Sequence, residues 1–97
     1  MAGLNYRDGR LHIEGDLRYG TVAALSRQLL AQAAREGDMV LDLAGVGQCD
    51  SAAVAMLAAC RSVKQRQQDS LLIENVPQGL ANLIGVYGLG ALLLNAQ

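Results

Sequence analysis

The chain has 97 residues, 52% hydrophobic and 18% charged, which allows one domain with a packed core and argues against a disordered chain. It contains neither Trp nor Phe, so that core has to be built from aliphatic side chains. Eight basic and nine acidic residues leave a net charge of −1 and are scattered in mixed order; nothing forms the basic stripe that phosphate-backbone binding needs, and nucleic acid is not an expected partner.

The chain opens on "LNYRDGRLHIEG", which reads as a hairpin. Asp8-Gly9 is a favoured two-residue turn, with Leu4 and Tyr6 before it and Leu11 and Ile13 after it. His12 alternates with Leu11 and Ile13 and is expected on the solvent face. "GDLRYGT" then leads into a helix with Thr21 as its N-cap and Val22, Leu25, Leu29 and Ala33 on its buried side. Glu36-Gly37-Asp38 ends it. "MVLDL" (39–43) predicts a central strand, followed by a short glycine-containing loop.

A second helix is expected from Ser51 or Ala52, its first half apolar and its second half, "RSVKQRQQD", polar and reaching water. "SLLIE" (70–74) is a further strand, Pro77 suits the first turn of a last helix, and Gly88 stops it. A short final strand near 91–94 completes the reading. Strand–helix–strand units cross over right-handedly, which places the strands from Met39 and Leu71 parallel in one sheet. The expected fold is a single α/β domain over 1–97, a mixed sheet of about four strands packed against three helices.

No charge follows Glu74, and the length of "NVPQGLANLIGVYGLGALLLNAQ" invites a membrane-spanning reading. Pro77, Gln78, Asn82 and several glycines interrupt it, and Leu80, Leu83, Ile84 and Tyr87 recur at i, i+3, i+4 and i+7. That spacing makes a one-sided stripe, not an all-round apolar rod, so direct membrane insertion is not expected. The start, "MAGLNYRDGR", has no apolar segment of the kind a secretion signal carries, and its glycine at position 3 does not fit myristoylation.

Catalytic and cofactor patterns fail one after another. Gly45-Val46-Gly47 lacks the second glycine, lysine and hydroxyl of a P-loop and the third glycine of a dinucleotide fingerprint. Ser51 lies between Asp50 and Ala52 without the glycines of a nucleophile elbow, and the sole histidine, His12, is far away in sequence. An Asp42–Asp50 pair at the strand ends is the remaining carboxylate arrangement. Cys49 and Cys60 match no short metal-ligand spacing and are expected to be reduced, mostly buried thiols of a cytoplasmic protein. No catalytic residue, metal or cofactor is expected.

What remains is the polar pair Asp50-Ser51 at the head of the apolar run "SAAVAMLAAC". Ser51 as N-cap would accept from the amide of Ala53 or Val54, worth roughly 1 kcal/mol; Val54 at N3 rules out a capping box. A hydroxyl there also faces the positive end of the helix dipole, where a phosphate is tolerated but would sit beside Asp50.

"LDLAGVGQCDSAAVAML" resembles the signature of STAS domains, the family of anti-sigma factor antagonists: apolar strand, short loop, Asp-Ser, buried helix. "LHIEGDLRYGTVAALSRQL" is similar to the family's strand, Gly-acid-Leu turn and first helix, and "IENVPQGLANLIGVYGLGALL" to its closing segment. Within the family, the short length and the "NVPQGLANLIGVYGL" ending are most similar to MlaB-like proteins. The resemblance implies a STAS-like fold and a non-catalytic, cytoplasmic accessory subunit of the Mla phospholipid-transport ABC transporter. Such a subunit binds the ATPase, and through it the permease, and supports complex assembly and activity in maintaining outer-membrane lipid asymmetry. It would be peripheral to the inner membrane through its partners. The matching partner-binding positions are Asp50, Ser51, Ala52 and Ala53. Ser51 matches the phosphorylation site of sigma-regulating members, which gives the alternative expectation of an anti-sigma factor antagonist switched at Ser51. Ala53 departs from the family's usual glycine, and its methyl group is expected to narrow access for a kinase.

Overall fold

A computed structural model describes residues 2–94. The order is β1 (Gly3–Arg7), β2 (Arg10–Leu17), α1 (Tyr19–Ala33), β3 (Met39–Cys49), α2 (Ser51–Gln67), β4 (Leu71–Glu74), α3 (Gln78–Val86) and α4 (Gly90–Leu93). The four strands form one mixed sheet in the order β1-β2-β3-β4, with β1 antiparallel to β2 and the other two pairings parallel. Both parallel connections advance in the same direction across the sheet. With right-handed crossovers, α1 and α2 therefore lie on one face of it.

The hairpin forms as its sequence predicts. Asp8 and Gly9 both take positive φ, the pairing that a two-residue turn between twisted strands requires. Alternation along β2 and β3 sends Leu11, Ile13, Leu41 and Leu43 to the helix side, where they are buried. Arg10, His12 and Asp42 go to the opposite side. The predicted helix stripe of Val22, Leu25, Leu29 and Ala33 closes over this layer, joined by Leu57 and Cys60 of α2 and Leu80 and Ile84 of α3. Each buried leucine contributes roughly 2–3 kcal/mol.

The structure corrects the reading in five places. β3 runs to Cys49, so Ala44–Gly47 is strand and not loop. Its glycines lie close under β2 side chains: a Cβ on Gly45 would lie 2.8 Å from the Glu14 Cγ, and one on Gly47 would displace an Asp16 carboxylate oxygen. α1 begins two residues before Thr21, with Arg18 at the N-cap. The segment expected as a final strand near 91–94 is instead the short helix α4, fixed by Arg61, whose Nε donates to the Leu92 carbonyl at 2.8 Å. Tyr87 stands out from its stripe, 54% exposed.

The last correction is Lys64, in the half of α2 expected to reach water. It is only 2% exposed. Its Nζ donates to the carbonyls of Arg35 (2.8 Å) and Gly37 (2.6 Å), closing the turn between α1 and β3. Among the described residues no helix is long and apolar enough to cross a membrane.

Candidate functional site at the helix junction

β2 and β3 finish side by side. Leu17 pairs with Cys49, and the Asp50 amide donates to the Leu17 carbonyl at 3.1 Å. Each strand then turns directly into a helix, so the N-termini of α1 and α2 emerge together from one end of the sheet. Thr21 helps to set the first turn: its hydroxyl donates to the Asp16 carbonyl (2.8 Å) and accepts from the Arg18 amide (3.1 Å). The Asp16 carboxylate in turn accepts from the Gln48 amide (2.9 Å), replacing ladder bonds where the register between β2 and β3 shifts.

Asp50, and not Ser51, is the N-cap of α2. Its backbone is extended, and its Oδ1 accepts from the Ala52 amide at 2.9 Å. The second oxygen, Oδ2, accepts from the Tyr19 amide of α1 at 2.9 Å. One carboxylate thus satisfies an unpaired amide on each of two helices, at the positive end of both dipoles. Ser51 moves to the first helical position, exposed to solvent. Since Asp50 supplies the cap, the fold does not require the Ser51 hydroxyl.

The other two sequence-derived positions diverge. Ala52 is half-buried, whereas Ala53 is 0% exposed and belongs to the core. Its methyl group therefore presents nothing to an approaching partner, and the expected narrowing of access does not arise. Sequence reasoning missed Tyr19, which is 85% exposed beside Asp50. With Val22, Ala23 and Ser26 of α1 and Ser51, Ala52, Ala55, Met56 and Ala59 of α2, it lines a shallow groove of about 440 Å³. The small side chains Ala52, Ala55 and Ala59 make the groove, a spacing visible in the sequence as alanines three and four apart.

The remaining candidates do not converge on this junction. Asp42 lies on the open sheet face, eight residues before Asp50 and about 25 Å away along an extended strand. Its Oδ1 accepts from the Ala44 amide (2.9 Å) and from the Asn75 side chain (3.2 Å), and its Oδ2 is 3.7 Å from His12 Nδ1. The Ala44 bond first, then Asn75, then the His12 and Arg10 charges hold this carboxyl below its usual range. His12 is thus tied to the Asp42 end of the sheet, and no Ser51–His12 pair is assembled.

Neither thiol is a ready nucleophile. Burial, followed by the Asp16 and Asp50 charges, pushes Cys49 up, and burial pushes Cys60 up to about 11. Both cysteines are free, Cys60 buried and Cys49 partly so. Among the described residues no group of three or more His, Cys, Asp or Glu side chains is placed to hold a metal ion.

This geometry can cap, join two helices and present a flat apolar groove with a hydroxyl at its rim. Comparison with known proteins agrees with the architecture. A solved structure described as "Crystal Structure Analysis of Mglu" superposes with a TM-score of 0.60 at 20% identity, covering 78% of this chain. This chain spans 20% of that one, so the likeness bears on the fold alone. No curated protein matches. The family described as "Mlab, STAS domain" matches residues 2–95, nearly the whole length. By that match, with its four-stranded mixed sheet and its Asp-Ser helix junction, the chain belongs to the STAS domain family as an MlaB-like member.

Proposed function

We propose that this protein is a non-catalytic accessory subunit of an Mla-type phospholipid-transport ABC transporter. It docks on the ATPase subunit through the junction of α1 and α2 and supports assembly and activity of the complex, reaching the permease and the inner membrane only through that partner. The observation that carries the reading is the division of labour between Asp50 and Ser51. Asp50 completes the cap, leaving an exposed hydroxyl at the rim of an apolar groove beside the 85% exposed Tyr19. An exposed aromatic next to small residues is the kind of anchor from which interfaces are built. The MlaB-like family match supports the choice of partner.

Ser51, Ala52, Tyr19 and the outer edge of Asp50 make the contact surface in this reading, and Ala53 supports it from beneath. The same exposed Ser51 at a helix N-terminus also suits the alternative, an anti-sigma factor antagonist switched by phosphorylation. Co-purification of wild type and Ser51→Glu with the host's ABC ATPase and permease separates the two. Capture of wild type with loss of at least tenfold in Ser51→Glu is the expected result. Equal capture of both moves the interface elsewhere. Capture of neither, together with modification of Ser51 by a cognate kinase, replaces the transporter reading with the sigma-regulator one.

A further inference from the structure

The sheet has two edges, and they differ. On β4 the Leu71 carbonyl accepts from Arg61 Nη1 at 2.9 Å, so that edge is already engaged by α2. On β1 nothing comparable intervenes among the described residues. The two-residue turn makes Arg7 and Arg10 its hydrogen-bonded closing pair. Antiparallel alternation then aims the N–H and C=O groups of Arg7, Asn5 and Gly3 at β2, and those of Leu4 and Tyr6 outward. β1 has no proline, no bulge and no lysine to guard that edge. Tyr6 lies on the helix side of the sheet, yet is 71% exposed.

We propose that β1 pairs with β1 of a second copy of this chain, antiparallel about a two-fold axis at Asn5. This register opposes Leu4 to Tyr6 of the other copy, so that the outward groups of both residues are satisfied in both directions, giving four main-chain bonds. It also lays an aliphatic side chain against each exposed ring. Asn5 faces Asn5, and Arg7 faces Gly3 of the other copy. Gly3 pairs with Glu14 and has no side chain, so the incoming Arg7 reaches Glu14 across it. Within one chain Arg7 Nη2 already stands 3.6 Å from Glu14 Oε2, so the dimer brings two such pairs together with no like charges directly opposed across the interface. A shift by one residue in either direction would set outward-facing groups against inward-facing ones and lose the bonds.

The test is the solution mass of the full chain with a register-specific crosslink. In a Cys49→Ser background, Asn5→Cys places two thiols on a non-hydrogen-bonded antiparallel pair, whose Cα atoms lie about 4.5 Å apart, within disulfide range. Oxidation with diamide is expected to link Asn5→Cys quantitatively and Leu4→Cys poorly. Tyr6→Lys is expected to weaken dimerisation at least tenfold while leaving the circular-dichroism melt in place. Arg7→Glu is expected to weaken it less, with recovery in Arg7→Glu/Glu14→Arg. A monomeric mass at every concentration overturns the proposal. So does a dimer indifferent to Tyr6→Lys, or crosslinking at position 4 that matches or exceeds position 5. ATPase capture through Ser51 is read separately, since Ser51 begins α2 and is no part of the β1 edge.

Discussion

Asp50 and Lys64 stand at opposite ends of α2, each a charged side chain holding backbone groups of a neighbouring element. Lys64 gathers the carbonyls that end α1 and begin the turn into β3, and it is sealed from water in doing so. Asp50 gathers two amides but stays at the surface, with Ser51 and Tyr19 exposed beside it. The lesson is that a polar residue against backbone closes a site only when the surroundings close with it. At the Lys64 end the buried ammonium itself is spent on the fold. At the Asp50 end one carboxylate does the structural work and leaves its neighbours exposed.

The sharpest way to break this comparison is Lys64→Met. It leaves the Arg35 and Gly37 carbonyls without their charged donor and should cost about 3 kcal/mol, read as a lower urea midpoint at unchanged slope. Partner capture by the folded fraction should not change. A loss below about 1 kcal/mol would mean that water replaces the lysine and that this end is not closed at all.

Next in size is Asp50→Ala, which removes acceptors from both helices and should cost about 1–2 kcal/mol, against less than about 0.5 kcal/mol for Ser51→Ala. If thermal melts reversed that order, Ser51 would be the cap after all. A smaller effect than that of Asp50→Ala belongs to Ala53→Gly, which restores the family's usual residue. Its buried methyl group and helical position set a loss of roughly 0.5–1 kcal/mol, with capture of the partner unaltered. A gain in capture would show that the methyl group shapes the surface despite its burial.

Much of this architecture was legible in the amino acids, and the failures share one cause. Asp8-Gly9 fixes its own turn, and the stripe from Val22 to Ala33 fixes its own helix face, because both depend on neighbours in sequence. The choice between Asp50 and Ser51 as cap depends on the Tyr19 amide, which arrives from 31 positions away. The length of β3 depends on Glu14 and Asp16 filling the space that Gly45 and Gly47 leave; in the linear sequence those glycines signal a loop.

Lys64 did carry a signal: Ala53, Leu57, Cys60 and Lys64 continue one 3.6-residue stripe into the polar half of α2. The run of charged and amide residues around it obscured the stripe. Of the candidate site, Asp50 and Ser51 were visible as a pair, whereas Tyr19 was not, since nothing in "LRYGT" separates an exposed aromatic from a core one.

The close approach at Gly47 also bears on how such a chain can change over generations. Asp16 fills the place of the missing Cβ, and its carboxylate holds the Gln48 amide two residues before the cap. A side chain at position 47 would have to displace the Asp16 carboxylate. That displacement gives up the Gln48 bond beside the junction. Change at the two positions is therefore expected to be linked, with the Gln48 bond the first contact that a side chain at position 47 would disturb.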